Sequence, residues 1–319
     1  MNREDFAHRH AEFWSRLEAL LDDIDARQAD SRRSADLPRL HRRVCHHLAL
    51  ARRRHLGADL EDRLNGLALR GHDHLYRNRL GSLSTASRFL LAGFPRLVRR
   101  EARLFWLATL LLYGPAFAMG ALVWQDPQAV HGLMELEQVQ SYEDMYGRSG
   151  EIERGATDDI AMFGFYVYNN ISVAFRTFAG GLLAGFGTVF FLTTNGLSFG
   201  AVAAHLTKEG MGEAFWSFVV THGAFELTAI VIAGAAGLRV GLAVLAPGRR
   251  TRGRALREAA STALPLIVGV AVMLVVAAFV EAFWSSAQSI EPVVKVGVGA
   301  AAWLAVATYL LTFGRTHEP

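Results

Sequence analysis

Cysteine is nearly absent from this chain. The single one, Cys45, cannot close an intramolecular disulfide, so no cross-linked framework holds the fold, and its Arg-rich surroundings give it little redox meaning. Residues 1–28 lack an apolar core and are charged throughout. No secretory leader is read there, and insertion into a membrane is expected to be driven by internal segments. No heptad or solenoid period recurs. Neither sign of charge dominates, the formal net charge being +3. A pI near 9.2 would point a soluble protein toward nucleic acid. Here the arginines cluster beside apolar segments, where orientation in a bilayer accounts for them, and no nucleic-acid partner is expected.

What the chain does have is apolar residues, unevenly placed. They make up 51% of the composition, and the mean hydropathy is +0.20, although the first third is polar. The apolar content is therefore concentrated later. The expected fold is all-α: a polytopic helical membrane protein of about six spans, some interrupted or re-entrant, after an N-terminal cytoplasmic helical domain.

That first domain is read over residues 1–103. Phe6, Phe13, Leu17, Leu20, Leu21 and Ile24 recur at helical spacing, as do Leu37, Leu40, Val44, Leu48 and Ala51, and then Leu60, Leu64, Leu67, Ala68 and Leu75. Asp36-Leu37-Pro38 supplies a helix start, and Gly57 and Gly81 supply stops. Three such stripes make a small bundle, completed where needed by a second copy or a partner. Residues 83–100 set Phe89, Leu90, Phe94 and Leu97 against Arg88, Arg96, Arg99 and Arg100. This suits either a helix lying in the headgroup layer or a fourth bundle helix. His41, His46, His47 and His55 lack a ligand spacing and are flanked by arginines, so a solvated helix face is expected.

The membrane domain is read over residues 104–319. Residues 104–124 give a first span of about 21 uncharged residues, with Trp106 and Trp124 near the interfaces and a kink at Gly114-Pro115. An acidic loop follows over residues 125–168, where Asp126, Glu135, Glu137, Glu143, Asp144, Glu151, Glu153, Asp158 and Asp159 face only Arg148 and Arg154. The charge rule places this loop outside and both termini inside. The second span, 171–194, carries a small-residue face at Gly181, Gly185 and Gly187. A break is expected at Asn195-Gly196, and residues 196–206 are too short to cross alone. After a polar turn at Lys208 to Glu213, a half-helix should reach His222, break at Gly223 and continue as a full helix. Five arginines between 249 and 257 mark an inside loop, and the last spans are 262–283 and 292–313.

This topology sets Arg176, Glu226 and Glu281 in the outer half of the bilayer. Ionisable groups at that depth are costly and functional by default, and an Arg176 pairing with Glu226 or Glu281 would reduce the cost of each. The plainer reading is a structural ion pair bracing interrupted helices. His222 and Glu226, one turn apart, could instead form a metal half-site, a proton relay or an acid/base pair. No metal or other cofactor is expected, because zinc usually takes three protein ligands, no H-E-x-x-H is present, and His205 is the only further candidate nearby.

The residues also resemble a family. Tyr168-Asn169-Asn170-Ile171, Gly185-Phe186-Gly187-Thr188, Asn195-Gly196 with Gly200, His222-Gly223-Ala224-Phe225-Glu226-Leu227, Ala233 to Gly237 and Pro247-Gly248 are similar, in order and spacing, to the stage II sporulation protein M (SpoIIM) family of integral membrane proteins. In the N-terminal domain Phe13-Trp14-Ser15-Arg16-Leu17 and Leu64-Asn65-Gly66-Leu67 carry the likeness, and the acidic loop matches least. The resemblance implies a membrane-embedded component that helps recruit envelope proteins. In spore formers the partners are two peptidoglycan-degrading proteins, and elsewhere relatives are encoded near MoxR-type ATPases and von Willebrand factor A domain proteins. No hydrolytic activity is carried over.

Two functions follow. One is a scaffold in the cytoplasmic (inner) membrane, binding the bilayer, other envelope proteins and possible further copies of itself. The other is a transporter or channel with an ion site around His222 and Glu226. An intramembrane hydrolase would lack a nucleophile, so no enzyme is expected. His222, Glu226, Arg176 and Asn195 lining a wet cavity would favour transport, and a closed network would favour the scaffold.

Overall fold

The computed structural model describes residues 3–26, 36–76, 83–147 and 156–315. It divides into two compact units, Met1–Ser87 and Arg88–Pro319. The chain is 89% helical, with no strand among the described residues.

In the first unit the three apolar stripes become α1 (Arg3–Asp25), α2 (Leu37–Arg54) and α3 (Ala58–Tyr76). Phe6, Trp14, Leu17, Leu21, Val44, Ala51 and Leu64 interlock in one core. Asp36 stands at the start of α2 as expected, but its side chain makes no capping hydrogen bond. α2 ends where His55 takes a left-handed conformation (φ 51) two residues before Gly57 (φ 106). Gly81, expected as a stop, lies outside the described residues. Arg70 spans Asp22 and Asp25 at 2.7 Å each, tying α3 to α1.

The expected solvated histidine face is only partly that. His47 is buried, accepts a hydrogen bond from Trp14 Nε1 at 3.0 Å and stacks on His10 at 4.2 Å. Burial, with His10 and Arg43 nearby, pulls its pKa down to about 4. The folded state thus refuses a proton that the unfolded chain accepts below about pH 6.5. The His47 contribution is complete above that pH and is lost as the pH falls toward 4, by up to about 3 kcal/mol. Hydrogen exchange across residues 3–76 of the full chain should lose protection in that window, and His47→Gln should flatten the dependence.

The second unit begins with the end of α4 (Leu83–Arg88), a π-helical turn at Phe89–Gly93, and α5 (Phe94–Arg100). The division between units therefore falls earlier than residue 103, because Phe94 packs against Gly269 and Tyr309 donates to the Leu90 carbonyl. Then come α6 (Ala102–Gln125), α7 (Leu136–Gly147), α8 (Ala156–Ala179), α9 (Phe186–Lys208), α10 (Gly212–Leu245), α11 (Arg252–Phe279) with a π-turn at Val280–Ser285, and α12 (Pro292–Thr312). Among the described residues five helices, α6 and α9 to α12, are long and apolar enough to cross a membrane. α8 contains Asn169, Asn170 and Arg176, which lower its apolarity, and is not among the five. The acidic segment is not a plain loop: its first part folds as a 3-10 turn and α7, and residues 148–155, with Arg148, Glu151, Glu153 and Arg154, lie outside the described residues.

α10 is the axle of the unit. Of its apolar window 72% is buried inside the protein, against 28% for α6 and 22% for α12. Lipid tails are as apolar as leucine, so helices associate there through close packing at small residues. α9 lies on α6 through Gly196 and Gly200, where a methyl group would run into the carbonyls of Leu112 and Ala116.

That contact corrects two expectations. α9 runs unbroken through Asn195-Gly196, where Gly196 serves helix contact and Asn195 Nδ2 donates to Phe191 O of its own helix at 2.7 Å. α10 likewise runs through Gly223 as one helix of 34 residues. The real interruption precedes α9, where Ala184 (φ 53) and Gly185 (φ 86) turn the chain after a 3-10 segment at Gly180–Leu182. Gly200→Ala should therefore lower the melting temperature in detergent, by about 1–3 kcal/mol in stability. Gly297→Ala, which meets open space on α12, should not.

Candidate functional site

α8, α9, α10 and the π-turn after α11 converge on one polar cavity of about 340 Å³. α8 supplies Asn169 and Asn170, α9 supplies Asn195 and Ser198, α10 supplies His222, Gly223 and Glu226, and the turn supplies Glu281. Tyr113 from α6 and Tyr142 and Tyr146 from α7 complete the wall.

Helical spacing sets His222 and Glu226 on one face, with Nε2 and Oε2 3.9 Å apart. Glu281 reaches them because a π-turn widens the helix end, a distortion that recurs at functional sites. One ligand atom from each of the three side chains lies within 4.8 Å of the others. His222 Nδ1 meets Ser285 Oγ, in the same π-turn, at 3.2 Å. The Ser285 carbonyl in turn accepts from the buried Lys295 Nζ at 2.8 Å, and Thr221 Oγ1 donates to the Lys295 carbonyl at 3.2 Å.

Arg176 is elsewhere. It is exposed on α8, and among the described residues no Lys or Arg forms an ion pair with Glu226 or Glu281. The expected charge compensation is thus absent, because the inner face of α8 at the cavity is made by Asn169 and Asn170, while Arg176 lies nearly two turns further along. Asn169 Nδ2 donates to Asn170 Oδ1 at 3.1 Å. Asn170 Nδ2 and Glu281 Oε2 are both buried without a hydrogen-bond partner. His205 does not join the group either. It meets Glu143 of α7 at 2.7 Å, fastening the acidic segment to α9. Tyr146, at the cavity edge, has its phenol pushed well above its usual range by burial, with Glu281 and Glu226 adding to the shift, so it stays protonated and able to donate.

A second cavity, of about 560 Å³, shares Tyr146, Tyr166 and Phe218 with the first and extends to Gly210, Met211 and Gln288 in the turns between helices. Toward the opposite end of the bundle the packing is closed. Thr188 Oγ1 donates to Thr177 O at 2.7 Å, both threonines and Leu192 are fully buried, and Gly187 and Gly237 bring backbones against Gly180 and Thr188. Pro247 and Gly248 (φ 64) lie past the end of α10, in the turn leading to α11.

Sequence reading named Glu281, His222, Glu226 and the asparagines but paired them with Arg176, and it missed Ser285, Tyr146 and Lys295. Lys295, a lone lysine in the first turn of an apolar helix, was the signal available.

Two carboxylates and an imidazole share this buried space without a cationic partner, an arrangement that costs stability. Glu281→Gln should keep the fold and raise the stability of the protein in chelator-treated detergent by about 1 kcal/mol, read from thermal unfolding. A structural ion pair would shift it the other way.

Two family models match the chain. A domain of unknown function (DUF8413) covers residues 4–77, which is the first unit. Stage II sporulation protein M (SpoIIM) covers residues 109–286, more than half of the chain and all of His222, Glu226 and Glu281, leaving α12 outside. No curated protein and no solved structure matches. With its multi-pass helical bundle and a match of this extent, the chain belongs to the SpoIIM family of membrane proteins.

Proposed function

We propose that the chain is the membrane-embedded assembly component of an envelope-associated complex. The observation that carries this reading is the pairing of two helical units, each matched by its own family model, in which the membrane unit is closed through its Arg-rich half. Glycine-to-backbone contacts at Gly181, Gly187 and Gly237 give that half a rigid, dry core, suited to holding partners in place rather than passing a solute. The first unit, with an apolar core and a charged exterior, offers a surface for a soluble partner such as a MoxR-type ATPase or a von Willebrand factor A domain protein. Arg96, Arg99, Arg100 and Arg239 gather at one end of the membrane unit with the 249–257 arginines. This supports an inner-membrane protein with both termini in the cytoplasm. No enzymatic role is assigned.

A second reading, passage of an ion or small solute, is favoured by the polar cavity. Asn195, His222 and Glu226 line that cavity, whereas Arg176 does not, and the layer of Thr177, Thr188 and Leu192 is fully buried. Vesicles reconstituted with the protein should show no ion flux above empty vesicles, while a co-expressed MoxR-type ATPase or von Willebrand factor A domain protein should copurify with the full chain. Flux that Glu226→Gln or His222→Ala abolishes, with expression and melting temperature unchanged, would replace the assembly reading with transport.

A further inference from the structure

The unpartnered acids in the cavity call for a ligand. We propose that His222, Glu226 and Glu281 form a binding site for one divalent transition-metal cation of the Zn²⁺ or Mn²⁺ class. The proposal stands whichever of the two functional readings holds.

Donor chemistry comes first. One imidazole and two carboxylates are the mixed nitrogen and oxygen set that such ions take, and two carboxylates with a neutral imidazole balance a divalent charge. Without a cation the two acids share a buried volume in which no Lys or Arg among the described residues pairs with either. Geometry comes next. The three donor atoms lie within 4.8 Å of one another. Ligands at about 2.0–2.2 Å from an ion stand roughly 3–3.5 Å apart, so closure needs movements on the order of 1 Å, which carboxylate rotation within the cavity supplies. His222 and Glu226 come from one helix face and Glu281 from a separate chain segment, so a bound ion would pin α10 to the end of α11.

The surroundings are arranged for it. With Nδ1 carrying the proton and donating to Ser285 Oγ at 3.2 Å, His222 Nε2 presents its lone pair toward Glu226 Oε2 at 3.9 Å. Two electron-rich atoms then face each other, which an intervening cation resolves. A hydrogen bond from the far ring nitrogen is also the usual way a metal-ligating histidine is oriented. Asn170 Nδ2, 3% exposed as a residue, and Glu281 Oε2, both in the wall of the cavity, are buried without a hydrogen-bond partner. These are a donor for the carboxylate oxygen not on the ion and an acceptor awaiting one. A cavity of about 560 Å³ that shares Tyr146, Tyr166 and Phe218 with the site lies beside it.

The test uses the full chain in detergent, stripped with chelator, reloaded with Zn²⁺ or with Mn²⁺ and desalted, with metal per chain measured by mass spectrometry. Wild type should retain one ion per chain more than Glu281→Gln and Glu226→Gln. Ser285→Ala should bind roughly ten-fold to a hundred-fold more weakly. Equal retention by wild type and both glutamine variants, or none by wild type with either ion, overturns the proposal. Should the variants fail to fold, X-ray absorption of the zinc-loaded wild type decides. A single imidazole with oxygen neighbours at about 2.0–2.2 Å supports the site, and coordination by several imidazoles, the mark of histidines in the first unit, overturns it.

Discussion

Helices surrounded by lipid cannot rely on the hydrophobic effect to bring them together, and this protein meets that constraint with bare backbone. Around α10, glycines and small residues let neighbouring helices approach until peptide groups touch. The contact is concentrated at the Arg-rich end and along the α6 and α9 seam. Toward the other end large aromatic side chains, Tyr113, Tyr142, Tyr146, Phe199 and Phe218, line the cavity. The cavity opens between these side chains, and the polar groups of α8, α9, α10 and the π-turn line it.

The two ends therefore divide the work. Tight packing fixes the directions of α8, α9 and α10, and those directions bring two asparagines, a histidine and two glutamates to a common point. The π-turn at Val280–Ser285 adds what straight helices cannot, since it delivers Glu281 and Ser285 to the same histidine from a different segment.

Much of this was legible in the sequence. The three stripes of the first unit, the first span and the last are set by local periodicity and apolar length, and they sit where periodicity puts them, while the span expected over 262–283 begins earlier, at Arg252. His222 and Glu226 stood out because charge in an apolar run is costly. What could not be read was which glycines break helices and which let them touch. Gly196 and Gly223 looked like breaks, yet a glycine inside a helix has the same local signature whether it bends the chain or faces a neighbouring backbone, and only the neighbour decides. Gly185 does turn the chain, with Ala184 sharing the left-handed conformation that sequence rules reserve for glycine. The partner of Glu226 was misjudged for a related reason. Arg176 was the nearest countercharge in sequence logic, but helix rotation turned it outward and presented amides instead. His47 shows the same limit in the first unit, where a histidine among arginines proved to be a core residue held by Trp14.

The short segment ahead of α6 has a mechanical consequence. Arg96 and Arg99 donate to the carbonyls of Gly314, Leu310 and Phe313, capping the end of α12, while Phe94 fills the notch at Gly269 of α11. The strand of chain that leaves the first unit is thus clamped to the last two helices before it enters the first span. One short segment thus fastens α12, which lies 211 to 218 positions later in the chain, to the entry of the first span.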